Sequence, residues 1–293
     1  MRVATSPQAA TAESYVALEI GTFKKYGLDV TIETRAKGAG SAVAGIVVSK
    51  AADVGEADII ALCAAAEHGI PLSLLAPSNV YFPTSAAINV LTVAANSPVR
   101  LAKDLDGKVV AAPSLEGPAR VSAAKWLDDN GAELSTIKFI EMPVVAMAAA
   151  LQKGTIGAAM ISEPALTVAG DSVRILGRPY QDGFGKSFQV SYWFATPEWV
   201  KANSEAAHRF ALAMRDTARW TNDPKNASRY GQILQKYAHF SDDVIKKMGR
   251  AAYGLTIDTS LAQPLIDAGI KYQSLHKVCR ANDFVSATAL IGR

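Results

Sequence analysis

Histidine and cysteine are scarce in this 293-residue chain, with four of the first and two of the second. Two cysteines exclude a multi-disulfide scaffold and a four-cysteine zinc site. His68, His208, His239 and His276 are scattered over helical segments, and no two have metal-ligand spacing. The sequence also lacks a Gly-x-Ser-x-Gly elbow, so it offers little for nucleophilic or metal catalysis. No metal and no cofactor are expected. No apolar run approaches the roughly 18 residues that span a bilayer, and none is longer than the eight residues of 59–66. Charge of one sign is missing too. Thirty basic and 27 acidic residues leave a net +3 with no basic run, which argues against a nucleic-acid partner. No charged-then-apolar leader opens the chain, which runs straight into a strand at residues 2–5.

Hydrophobic residues make up 49% and charged residues 19%, an ordinary globular balance. The length fits two domains or one large one. Strand and helix patterns alternate through the first half. Strands are expected over 2–5, 28–34, 52–55 and 72–80, and helices over 11–26, 41–50 and 58–68. A second unit begins near Ala86. It carries strands over 86–94, 108–112, 137–142, 158–161 and 173–176, and helices over 119–130, 144–153 and 163–169. Residues 177–185 read as a connection and 189–195 as one more strand. After Pro197 the pattern is helical, over 205–221, 224–237, 241–249 and 261–276. Strands separated by helices predict an α/β fold with parallel pairing.

A weak internal repeat runs through this pattern. In each half a strand, turn and helix lead to a lysine (Lys50, Lys153), a short strand, an acid (Glu56, Glu163) and another helix. Two ordinary βαβ units would look alike for no further reason. Two lobes facing each other across a cleft would give the same pattern.

Three turns follow strands and open helices: Ser6-Pro7-Gln8, Gly38-Ala39-Gly40-Ser41 and Ser114-Leu115-Glu116-Gly117. The second is neither a dinucleotide fingerprint nor a P-loop. Each exposes backbone amides at a helix start, where a small anion or polar group is held. Open α/β sheets bind ligands at such strand ends. A plain tight turn accounts for each one singly. Glu163 reads as a helix cap, because Pro164 suits a first helical position. Glu56 has no such explanation and is placed in the cleft. One member each of Tyr81-Phe82 and Tyr192-Trp193 is expected to line a pocket, although most aromatics are core. A Cys63–Cys279 bridge is open, since spacing does not report proximity.

The run Tyr15 to Glu33 resembles the opening motif of the nitrate/sulfonate/taurine and thiamine-pyrimidine-precursor group of ABC-transporter solute-binding proteins. The matching residues are Ala17, Gly21, Phe23, Gly27, Leu28, Asp29 and Val30. Asp53 and Gly55 resemble its next step. Asp104, Leu105, Gly107, Lys108 and Val110 resemble its passage into the second lobe. Ala150, Leu151, Gly154, Ile156, Glu163 and Pro164 resemble a fourth motif. Gly157 departs from the usual Asp, and Glu56 stands where the anion binders carry a small or neutral residue.

The resemblance implies a two-lobed periplasmic-binding-protein fold of the two-crossover type, each lobe a mainly parallel sheet flanked by helices. Residues 1–82 and 182–293 would form the first lobe and 83–181 an inserted second lobe. It implies a non-enzymatic periplasmic receptor, its leader removed and replaced by Met1. The receptor would be a monomer that delivers a small ligand to a membrane permease and its ATPase. The expected ligand contacts are Ser6, Pro7, Gln8, Gly40, Ser41, Glu56, Ser114, Leu115, Glu116, Gly117 and Arg120, with Tyr192 or Trp193 as an aromatic wall. Arg120 is the candidate counter-charge for a carboxylate or sulfonate. Glu56 would repel a simple inorganic anion. It favours a zwitterion, a ligand with an amine or hydroxyl, or a heterocycle with ring N–H groups. A small organic ligand is therefore expected: a sulfonate, carboxylate, aromatic acid or zwitterion. The alternatives are an enzyme of the same fold, as in pyrimidine-precursor or menaquinone biosynthesis, with Glu56 as base, and a one-component sensor.

Overall fold

The computed structural model describes residues 1–5, 9–33, 40–82, 84–184 and 187–290. Strands β1 (Arg2–Ala4), β2 (Thr31–Glu33), β3 (Val54–Asp58) and β4 (Ser73–Pro77) alternate with helices α1 (Glu13–Glu19), α2 (Thr22–Lys25), α3 (Gly40–Val48) and α4 (Ile59–Glu67). After β5 (Asn79–Tyr81) the chain forms β6 (Asn89–Ala94), β7 (Val109–Ala112), α5 (Pro118–Asp129), β8 (Lys138–Glu141), α6 (Val144–Gln152), β9 (Ala158–Ser162), α7 (Ala165–Ala169) and β10 (Val173–Gly177). It returns through α8 (Pro179–Gly183), β11 (Phe188–Gln189) and β12 (Ser191–Ala195). The remainder is α9 (Pro197–Ala202), α10 (Ser204–Asn222), α11 (Ala227–Ala238), α12 (Asp242–Lys247), β13 (Ala252–Tyr253) and α13 (Gln263–Lys271).

Two five-stranded sheets result, in the orders β2-β1-β3-β12-β4 and β10-β6-β9-β7-β8. Each is mainly parallel, with one reversed strand. β12 runs against β3 and β4, and β6 runs against β9 and β10. These two reversed strands follow the segments that pass between the sheets. A small antiparallel sheet, β11-β5-β13, joins the two passages, and the sequence pattern does not reveal it. Tyr81, Tyr180, Phe184 and Phe188 pack there with ring centroids 4.7–5.5 Å apart. Tyr81 is thus buried in a core rather than facing a pocket, and Phe82 is exposed.

Three elements differ from the sequence expectation. The helix over 11–26 breaks at Gly21, whose φ of +78° an L side chain rarely adopts. The apolar period continues across the break because Ala17 of α1 and Phe23 of α2 enter one core, with Phe23 stacked on Phe210. The single strand over 72–80 is two strands, β4 and β5, in different sheets. The strand over 189–195 is likewise β11 and β12. The chain changes sheet at Ser78, whose N–H donates to the Ser191 carbonyl at 2.9 Å.

The first-sheet motif residues have structural reasons. Asp53 accepts from the Arg2 backbone and guanidinium, both at 2.7 Å, tying the approach to β3 against β1. A Cβ on Gly55 would lie 2.7 Å from Val43 and 2.8 Å from Val47, so glycine lets α3 rest directly on β3. Cys63 on α4 and Cys279 form a disulfide with Cα atoms 5.9 Å apart. It anchors the C-terminal segment to the first sheet's flank.

A Lys-Tyr dipeptide recurs three times and each time clasps one carboxylate oxygen. Lys25 and Tyr26 hold Asp216 at 2.7 and 2.6 Å. Lys236 and Tyr237 hold Glu19, both at 2.6 Å. Lys271 and Tyr272 hold Asp128, both at 2.8 Å. The first two fasten α1 and α2 to α10 and α11. The third fastens α13 to α5, which flanks the second sheet.

Candidate functional site

The carboxyl ends of β1, β3 and β4 meet at one edge of the first sheet, where Thr5 and Ser78 follow their strands and Glu56 follows the last β3 residue paired with β1. β12 enters from the same edge, so Ser191 joins them. Trp193 lies directly opposite Glu56 in the β3–β12 register, which puts both side chains on one face. Glu13, the first residue of α1, reaches this face, and its Oε2 accepts the Trp193 indole N–H at 2.7 Å. Glu13 is fully buried and Glu56 is 5% exposed. Each keeps its Oε1 without a hydrogen-bond partner among the described residues, as does the Ser78 hydroxyl, which is also fully buried.

A buried carboxylate with an unpartnered oxygen is costly, so the proton is held more tightly. Burial pushes the Glu56 carboxyl up to about 7. The Asp58 charge adds to this, and the Ser191 and Ser78 hydroxyls beside it oppose it. Burial also raises Glu13 well above the carboxylate range. The Trp193 N–H opposes that rise, and the Glu56 charge adds to it. Beside the acids, the Tyr230 and Tyr253 hydroxyls lie 3.5 Å apart. Burial raises both phenols, and the Glu13 charge acts on each in the same direction. Arg250 stacks over Tyr230, 5.2 Å from its ring centre, and donates to the Thr221 carbonyl.

On the second sheet, Ser114, Leu115, Glu116 and Gly117 form the turn between β7 and α5. The Glu116 N–H donates to Ser114 Oγ at 3.3 Å. Gly117 caps α5 without a side-chain acceptor, leaving amides at the helix start for another group. Glu163 caps α7 through the Thr167 N–H at 3.1 Å and accepts the Gly249 N–H at 3.3 Å. The helix-cap reading of Glu163 agrees with this geometry.

Arg120 is partly engaged within the protein. Its guanidinium is half-buried over Phe139 and donates to the Tyr272 carbonyl and to Ser274 Oγ. It bridges α5 to the end of α13 through Nη1. Tyr192 and Trp193 do not form an exposed aromatic wall, because both are fully buried in the central strand of the first sheet. Tyr192 faces the opposite side of the sheet from Glu56, while Trp193 acts through its N–H on Glu13. Ser6, Pro7 and Gln8 lie outside the described residues. Gly40 and Ser41 begin α3. The sequence reading missed Glu13, since a lone acid at a helix start is ordinary. Only the β12 register brings it to Glu56.

The sequence model of a family described as NMT1/THI5 like matches residues 8–227. The chain belongs to the NMT1/THI5-like family. Comparison with curated proteins finds no match. Among solved structures, this NMT1/THI5-like protein is similar to the periplasmic aliphatic sulphonate binding protein SsuA from Escherichia coli. The TM-score is 0.78 at 16% identity, covering 100% of this chain and 94% of that one. It is similar to the periplasmic nitrate-binding protein NrtA from Synechocystis PCC 6803, with TM-score 0.73, 17% identity and coverage of 94% and 81%. The desulfurization enzyme DSZB shares the fold too, with TM-score 0.70, 11% identity and coverage of 98% and 96%. The fold is therefore the two-lobed periplasmic-binding-protein architecture, which hosts both binding proteins and an enzyme.

Proposed function

We propose that this protein is the solute receptor of an ABC importer. Its lobes, 1–82 with 182–293 and the inserted 83–181, close around a small organic ligand and present it to a membrane permease and its ATPase. The observation that carries this reading is the gathering of buried, unpartnered polar atoms on Glu13, Glu56 and Ser78 at the carboxyl edge of the first sheet. A fold of this kind binds ligands at that edge, and hinge closure offsets the cost of burying such groups. The receptor works as a monomer, without a cofactor. The Cys63–Cys279 disulfide fits an oxidising compartment such as the periplasm.

One observation favours an enzyme instead. A buried Glu56 titrating at about 7 has the proton affinity of a general base. A thermal-shift screen over sulfonates, aromatic acids, amino acids and pyrimidines separates the two readings, with the recovered compound checked by mass spectrometry. A receptor gains about 2.7 kcal/mol at a hundredfold excess over Kd and returns its ligand intact. A ligand converted on incubation sinks the receptor reading.

A further inference from the structure

We infer that the groove between α11 and α12 binds a small carboxylate with an apolar body, at a site separate from the buried acids of the first sheet. The groove encloses about 450 Å³, and none of Glu13, Glu56 and Ser78 lines it. That volume suits a small molecule. The two helices run against each other. At one end the Gln235 amide donates to Asp242 at 2.8 Å, and at the other Arg250 stacks over Tyr230, 5.2 Å from its ring centre. Between these ends a Cβ on Gly231 would lie 2.5 Å from Ile245, so glycine sets how closely α12 approaches. Buried Tyr230, Leu234 and Met248 and half-buried Ile245 give the groove its apolar lining.

Charge is segregated along the groove. Among the described residues that line it, three are charged: Asp242 at the first end, and Lys246 and Arg250 toward the second. Asp242 is engaged by Gln235. Arg250 donates through Nη2 to the Thr221 carbonyl, while its Nε is buried without a partner among the described residues. The fully buried Thr221 hydroxyl likewise has none. A guanidinium presents its donors in a planar fork that matches a carboxylate. α11 begins at this end, with Ala227 and Ser228 on the groove and no side-chain cap. A helix start carries partial positive charge, which adds to that of the two cations. An anionic head is therefore drawn to the Arg250 end, and an apolar body lies along Leu234 and Ile245. An organic cation would meet Asp242 alone, against two positive side chains.

The test is calorimetric titration of the full chain at pH 7.5 with hexanoate, hexylammonium and hexan-1-ol, which share a chain length and differ in head group. Hydrogen exchange with and without hexanoate locates the site. Hexanoate should bind at least tenfold more tightly than either other probe and should slow exchange within residues 227–250. Lys246→Glu and Arg250→Gln should each weaken it at least fivefold, with circular dichroism verifying that the variants are folded. Lys246 is exposed, so its variant decides the outcome if Arg250→Gln does not fold. No binding of hexanoate overturns the inference, as does binding without preference for hexanoate, or an affinity that either folded variant retains. Protection confined to residues 54–58 and 191–195 also overturns it, because the probe then sits among the buried acids. A dimer in sedimentation that excludes hexanoate would put a second copy of the chain in the groove and overturn it as well.

Discussion

Glu56 pays for its position in stability. Its carboxyl titrates at about 7 in the folded chain against about 4.5 in an unfolded one. The folded state therefore holds the extra proton between these values, and stability falls as pH rises through that window. Burial is the main cause, Asp58 adds to it, and Ser191 and Ser78 oppose it. Glu13 shifts in the same direction. Between pH 5 and pH 8 the ligand-free protein should lose about 2 kcal/mol through Glu56 alone. Glu56→Gln should lose less than the wild type by that amount, read as the difference in urea midpoints at the two pH values. An unchanged pH slope would mean that Glu56 is not buried as an acid. Residue chemistry was partly legible in the sequence, since Glu56 stood out as an acid with no helix or lysine to explain it. Glu13 was invisible, because nothing local distinguishes an acid meeting a tryptophan 180 residues away.

At the scale of elements, the alternation of strands and helices was readable because its signals are local. Apolar period, Gly stops and Asp caps act within one turn; the Asp58 carboxylate, for example, accepts the Ala61 N–H at 2.9 Å. Boundaries failed where the apolar pattern ran on through a change of sheet, as at Ser78 and between β11 and β12. The α4–Cys279 link belongs to this scale as well. The disulfide closes a loop across a sequence separation of 216 residues. Chain-entropy arguments give such a closure about 5 kcal/mol, and measured losses on removing a native bridge run at about 2–5 kcal/mol. A Cys63→Ser, Cys279→Ser double variant should lose stability in that range, measured by denaturant unfolding. Reduction of the wild type should reproduce the loss. A loss below about 1 kcal/mol would show that α4 and the C-terminal segment hold together without the bond.

For the whole molecule, the arrangement of the lobes depends on contacts between residues far apart in sequence. α5, on the flank of the second sheet, is bonded to α13 by Arg120 with Tyr272 and Ser274, and by Asp128 with Lys271 and Tyr272. α13 in turn precedes the segment that Cys279 pins to α4. This clasp ties the flank of the second sheet to α13 and, through Cys279, to α4 on the flank of the first. Arg120→Ala combined with Asp128→Ala should shift the ligand-free population toward more open forms. Small-angle scattering would show this as a larger radius of gyration, with an unchanged profile excluding the clasp as a determinant of lobe separation.

The sequence by itself determined the α/β class, the order of most elements and, through the motifs around Gly21, Asp53 and Gly107, the family. These signals are carried by neighbours along the chain, where helix and strand periods and turn residues act. The tertiary structure decided which residues meet. It reversed β6 and β12, buried Tyr192 and Trp193, engaged Arg120 in a bridge to α13 and joined Cys63 to Cys279. It also placed Glu13 and Glu56 on one face. Each of those outcomes depends on a pairing register or a packing contact across many residues, and no local pattern encodes it.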